Sequence, residues 1–341
     1  MLLNNKARGY LNNYLDGLAL ANDVKETSRY FSLSDPKETK LRDAMLESNE
    51  FLNFIVVEDV DQIKGQVVNV GNPGLFTGRV DEGRFRRKVG VDGNNYELYE
   101  TDSGAALTYQ MLSVWANAGS EEEFFQRMQA FTNKSFSLDV LRIGFNGKSA
   151  AKTTKPKDNP NGEDVNIGWH ELVRTYDKNQ IVTDAITLGS GGDFKSLDAM
   201  ASDLINAKIP QEFRNDPRLV VLVGADLVAA EQYRLYQAAD RPTEKIAAQM
   251  LSQSIAGRQA MVPPFFPGKR MTVTMLSNLH VYTQRGTRYR KAEFSDDRKQ
   301  FENSYLRMEG YAVETPELYA AFDETAVTIG KVEEAKDGPE V

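Results

Sequence analysis

Residues Ser120 to Gly147 read SEEEFFQRMQAFTNKSFSLDVLRIGFNG. Ser120 and Glu123 stand at capping-box spacing, and Glu121, Glu122 and Glu123 put negative charge at the positive end of a helix dipole. Phe124, Phe125, Met128, Phe131, Leu138 and Leu141 follow as an apolar side, so the stretch predicts one helix of roughly six or seven turns. Gly144 and Gly147 predict its end.

Upstream the period changes. From Phe54 to about Thr108 the runs FIVVEDV, VVNVGNPG and RKVGVDGNNYELYET alternate with period two, and glycines accumulate at 65, 71, 74, 78, 83, 90 and 93. This predicts a long β-hairpin, with Arg79, Arg84, Arg86, Arg87 and Lys88, and with Asp81 and Glu82 among them, at a charged tip. A solvated loop explains such a charge run equally well. Before the hairpin, Asp35-Pro36-x-Glu38 opens another helix whose buried side is Leu41, Met45, Phe51 and Leu52. At the start, Tyr10, Leu11, Tyr14, Leu15 and Leu18 write one apolar stripe on a helix ending near Asn22, a face able to dock on a partner. The polar run from Lys25 to Ser34 reads as an exposed linker.

Downstream, KSAAKTTKPKDNPNGE (148–163) is rich in lysine and proline and predicts an exposed loop. Helices are expected at about 169–176, 196–207 and 243–252. Leu219 to Val223 is a buried strand that Gly224 turns into a helix from Asp226 to Ala239, the clearest α/β unit of the chain. Val262-Pro-Pro-Phe-Phe-Pro267 is a rigid apolar loop. Strands follow at 271–275, 278–283, 304–313 and 318–322, and a charged tail begins at Lys331.

Composition narrows the function. The chain has 341 residues, 41% of them hydrophobic and 26% charged, so it is long enough to bury a large core without staples. It contains no cysteine, which removes disulfides, thiolate nucleophiles and cysteine-held metal clusters. The net charge of −8 and pI near 5.1 disfavour a dedicated nucleic-acid reader, while suiting the wall of a container for nucleic acid. Mean hydropathy is −0.48, and no window approaches the roughly 18 apolar residues of a membrane span.

Catalytic constellations are missing. His170 and His280 have no sequence neighbour with metal-ligand spacing, and Gly189-Ser-Gly-Gly192 lacks the spacing of a phosphate loop, reading better as a joint between modules. Asp296-Asp297 and Glu333-Glu334 stand in charged stretches with no apolar surround to raise a pKa. A soluble α/β enzyme therefore has no site to stand on, and neither cofactor nor metal is expected.

The element order resembles the Hong Kong 97-type (HK97-like) α+β fold of tailed-phage capsids. The motifs Glu47-Ser-x-x-Phe51-Leu52, Gly144-Phe-Asn-Gly147, Asp164-Val-x-x-Gly168-Trp169, Gly189-x-Gly-Gly-Asp-Phe-x-Ser-Leu-Asp-Ala199 and Asp216-Pro-x-Leu-Val-Val-x-Val-Gly224 are similar to those of the major capsid proteins of peduovirus-type tailed phages, over nearly the whole chain. The resemblance implies a shell subunit forming hexamers and pentamers of an icosahedral head around double-stranded DNA, assembled in the host cytoplasm. It implies an N-terminal arm (1–53), an extended loop (54–110), a peripheral domain (111–195, with return strands 289–330), an axial domain (196–288) and a tail (331–341). An internal scaffold, a maturation protease and a portal are the implied partners. Tyr10, Leu11, Tyr14, Leu15 and Leu18 would face the scaffold, and Arg29, Tyr30, Phe31 and Ser32 would hold the cleavage region. The basic tip would meet a neighbour, with Glu121 to Glu123 as candidate acids, because an isolated hairpin cannot bury its own faces. An encapsulin-like compartment is the alternative container.

Overall fold

The computed structural model describes residues 3–33, 35–67, 77, 80, 94–238 and 253–330. The helices are α1 (Asn5–Asn22), α2 (Asp35–Glu47), α3 (Tyr109–Ala118), α4 (Glu121–Asn146), α5 (Trp169–Tyr176), α6 (Leu197–Lys208) and α7 (Ala225–Ala238). The strands are β1 (Phe31–Ser32), β2 (Val56–Val60), β3 (Lys64–Gln66), β4 (Asn95–Glu97), β5 (Tyr99–Thr108), β6 (Ile181–Val182), β7 (Ile186–Leu188), β8 (Leu219–Val223), β9 (Ser254–Ile255), β10 (Arg258–Met261), β11 (Met271–Met275), β12 (Leu279–Gln284), β13 (Tyr289–Ser295), β14 (Gln300–Val313), β15 (Tyr319–Phe322) and β16 (Val327–Ile329). The helix predicted at 243–252 and the charged tail lie outside the described residues.

Two six-stranded sheets organise the chain. In the first, the order is β1-β13-β14-β12-β2, with β5 also on β14. The 14 residues of β14 span about 46 Å at the usual strand rise. One edge of β14 takes β13 along 300–306 and β12 along 309–313, and the opposite edge takes β5 along 300–309. The second sheet runs β6-β15-β11-β8-β10-β9. Its β8 is buried on both faces, as its uninterrupted LVVLV predicts. Leu219, Val221 and Val223 meet α6 and α7, while Val220 and Leu222 join the larger core with Trp169 and Phe145.

The sheets redraw the expected domain borders. Residues 279–284, expected in the axial unit, form β12 of the first sheet, and residues 319–322, expected among the peripheral return strands, form β15 of the second. Short 3-10 turns at Leu276–Asn278 and Pro316–Leu318 carry the chain across. Buried Asn278 ties both crossings together: its Nδ2 donates to Thr315 O at 2.9 Å, and its Oδ1 accepts from Thr315 N at 2.7 Å. A strand's sequence reports its burial, not the sheet it joins, so hydropathy could not place this border.

The capped helix is α4, 26 residues long, with the Ser120 hydroxyl accepting from Glu123 N. Its buried side is Phe124, Met128, Thr132, Phe136 and Val140, whereas Phe131, expected inside, is 38% exposed. Gly144 lies within the last turns instead of ending the helix. A Cβ there would stand 2.5 Å from Trp169 Cζ3, and one on Gly168 would stand 2.4 Å from Gly144 O. Glycine thus lets α4 and α5 touch through their backbones.

Candidate functional site

The candidate surfaces are those through which a shell subunit, as the family resemblance implies, would meet partners. The first is α1. Asn4 caps it, accepting from Ala7 N at 2.7 Å, and the same side chain donates to Asn117 Oδ1 at 3.1 Å. Farther along, Asn13 Nδ2 donates to Glu121 Oε1 at 2.7 Å. Ala7 and Leu11 are fully buried and Tyr14 nearly so, in a cluster with Leu112, Ala116, Phe124, Met128 and Phe301. Tyr10, Leu15 and Leu18 pack partly against the same cluster. The stripe expected to face a scaffold is therefore occupied by the chain's own α3, α4 and β14, because burying it there removes apolar area from water at once. The outward apolar residue of α1 is Leu20, 86% exposed.

The linker after α1 is less free than its polarity predicts. Ser28, Arg29 and Tyr30 are exposed, but Thr27 O accepts from Ala292 N, and Phe31 and Ser32 pair with Arg290 and Tyr289. Phe31 and Leu33 are buried in the core. Alternation of inward Phe31 and Leu33 with outward Tyr30 and Ser32 is a period-two signal that the short run hid. The expected cleavage region thus spans an exposed bend (Arg29, Tyr30) and an edge strand (Phe31, Ser32).

At the start of α4, Glu122 is exposed and unpaired among the described residues, Glu121 takes Asn13, and Glu123 lies 4.0 Å from Arg127. The basic residues expected opposite them, Arg79, Arg84, Arg86, Arg87 and Lys88, lie outside the described residues. The stem of that hairpin is described: β3 pairs with β4, Lys64 Nζ lies 2.6 Å from Glu97, and the Tyr176 hydroxyl donates to Asn95 O at 2.5 Å.

Two buried ionic clusters escaped sequence reading. Arg288, 2% exposed, holds Glu38 at 2.7 Å and also pairs with Asp59, which takes Arg42 at 2.9 Å. Glu38 is therefore a core ion-pair partner as well as part of the helix start. Burial pushes its pKa up and Arg288 opposes the shift. The second cluster gathers His170, Arg174, Arg270, Asp323 and Glu324. His170 Nε2 lies 3.3 Å from Asp323 Oδ2, which Arg174 also pairs, and Arg270 Nη2 lies 2.7 Å from Glu324. Burial drives the imidazole down to about 4 and so keeps it neutral. Burial pushes Asp323 upward, yet bonds from His170 and Thr325 hold it well below the carboxylate range. His170, Asp323 and Glu324 have metal-ligand chemistry, but two guanidiniums already neutralise the carboxylates, and a cation would have to displace them. Partners some 150 positions apart leave no local signal. In the Gly189 to Gly192 turn, Gly189 N donates to Phe194 O and Gly192 N donates to Gly189 O.

Comparison with known proteins finds phage capsid proteins. The chain is 28% identical over 329 residues to the capsid protein of Escherichia phage P2, covering 91% of each. It is 26% identical over 305 residues to the major capsid protein of Serratia phage KSP20, covering 83% of this chain and 86% of that one. Among solved structures, a chain of the satellite phage P4 procapsid that includes the size determination (Sid) protein superposes with a TM-score of 0.76 at 26% identity, covering 96% of this chain and 99% of that chain. Nothing in these relationships favours an encapsulin-like compartment. The fold is the HK97-like α+β capsid fold, and a model of the phage major capsid protein, P2 family, matches residues 10–325, so the chain belongs to that family.

Proposed function

We propose that this capsid subunit forms hexamers and pentamers of itself and closes them into an icosahedral head around double-stranded DNA in the cytoplasm of the host. The observation that carries the reading is the rooting of the extended loop. Its flanking strands, β2 and β5, are stitched to β12 and to the opposite edge of β14, and the described stem packs Val67, Tyr96 and Leu98 on Tyr282 and Ala312 of its own chain, so the base is anchored; a long hairpin extending beyond that base cannot cover its own faces. A neighbouring subunit supplies the cover. Arg84, Arg86, Arg87 and Lys88 would then meet acids of that neighbour, with Glu122 the least committed of them.

In this reading an internal scaffold sets the size, a portal occupies one vertex, and a maturation protease removes the arm within Arg29 to Ser32. Since the apolar stripe of α1 is occupied within the chain, scaffold contact falls to its outward side, including Leu20. Negative-stain microscopy of the full chain, with and without its scaffold, tests the proposal. Uniform closed shells from the wild type, and none from a charge-reversed 84–88 variant that stays folded, are expected. Normal heads from that variant would remove the loop contact, and a small oligomer from the wild type would remove the shell. Intact mass in mature heads would reject cleavage.

A further inference from the structure

The lysine-rich loop after α4 has no part in the contacts proposed above. Lys148, Lys152, Lys155 and Lys157 stand within ten residues, all exposed, and none pairs with a carboxylate among the described residues. On a chain of net charge −8, such a concentration of unpaired ammonium groups is anomalous. The loop has a fixed shape. Lys148 N and Ser149 N donate to Glu163 O, Ala151 N donates to Asp164 O, and Lys155 N donates to Asp164 Oδ2 at 2.6 Å. The segment's own acids are thereby turned to its backbone: Asp164 is buried, and Glu163 also receives Asn161 N at 3.0 Å. Only Asp158 faces out beside the four lysines.

What surrounds the lysines selects the partner. Ser149, Thr153 and Thr154 are exposed hydroxyl donors, and between Lys148 and Lys157 the remaining residues are two alanines and a proline. Protein interfaces are built around aromatic and large apolar anchors and are depleted in lysine. Phosphate contacts are made by lysine, serine and threonine without any apolar anchor. Resting on the reading of this chain as the wall of a DNA-filled shell, we propose that the 148–157 loop is a preformed, sequence-independent contact for the phosphates of duplex DNA, and that it therefore lies on the lumen side of the wall.

The contact is at most four phosphates per subunit, so log affinity should fall with log salt at a slope near −3.6, about 150-fold between 50 and 200 mM salt. The test titrates full-length subunit into a labelled random-sequence duplex across that range. It compares the wild type with a Lys148→Gln, Lys152→Gln, Lys155→Gln, Lys157→Gln variant and with the corresponding four-arginine variant. Support is a wild-type slope between −2 and −4 that the glutamine variant flattens by at least two and the arginine variant keeps. Equal affinity and slope for wild type and glutamine variant overturn the proposal, as does no binding by the wild type at 50 mM salt. A glutamine variant that stays folded but closes no shells without DNA also overturns it, in favour of a contact with acids of another copy. Failure of the wild type itself to form shells tells separately against the container reading.

Discussion

Replacing Gly144 by alanine separates helix propensity from packing. In an exposed helix interior, glycine to alanine stabilises by roughly 0.5–1 kcal/mol, because alanine loses less backbone entropy on folding. At Gly144 the added Cβ meets Trp169 Cζ3 at 2.5 Å and Cη2 at 2.6 Å. The indole cannot move cheaply. It is 1% exposed, donates from Nε1 to His280 O at 2.9 Å, and stands edge-on to Phe145 and Tyr311. Overpacking of this kind costs about 1–3 kcal/mol, and losing the indole bond adds about 1 kcal/mol more. Subtracting the propensity gain leaves a net loss of roughly 1–3 kcal/mol. Gly17 of α1 provides the opposite case, since its Cβ would meet nothing within 4 Å. Gly17→Ala should stabilise by up to about 1 kcal/mol. Urea unfolding of full-length Gly144→Ala and Gly17→Ala, followed by tryptophan fluorescence, should therefore give midpoints shifted in opposite directions. A Gly144→Ala midpoint at or above wild type would refute the claim that Trp169 is fixed.

Acid should weaken the fold through His170. Its imidazole titrates near 4 when folded and near 6.5 when unfolded, so the unfolded chain binds more protons between those values and stability falls as pH drops through that window. The loss is about 2 kcal/mol by pH 5; a His170→Gln variant should lack this step, and an unchanged pH profile in the variant would refute it. Arg288→Met strands Glu38 and leaves Asp59 with Arg42 alone, and should cost about 3–5 kcal/mol, of which adding Glu38→Leu recovers a part in chemical unfolding. Leu11→Ala should cost about 2–5 kcal/mol while Leu20→Ala is neutral; equal effects would mean that α1 does not dock on its own chain.

Elements whose cause is local were readable. The Ser120 cap, the LVVLV strand and the 3.6-residue stripe of α1 act within a few residues, and each appears where the sequence puts it. What failed to show is what distant segments decide together. The stripe of α1 announced a docking face but not its own α3 and α4 as the dock. The sheet assignments of β12 and β15 depend on Asn278 and Thr315, two polar residues 37 apart. His170 looked isolated because Asp323 and Arg270 arrive from other elements. The motifs that carried the family resemblance coincide with such meetings: Gly144, Gly168 and Trp169 are one contact seen from two helices.

The central position of β14 bears on how the protein is made. Leu107 of β5 pairs with Phe301, so the edge of β5 waits for about 200 further residues before its partner exists. At ordinary translation rates of about 5–20 residues per second, that wait is roughly 10–40 s on the ribosome. Throughout it β5 offers an open edge that invites pairing with other nascent chains, and β12 and β13 join it only near the end. Crowded polysomes would make that hazard acute, and chaperones that hold unpaired strands would act on this chain before β14 is complete.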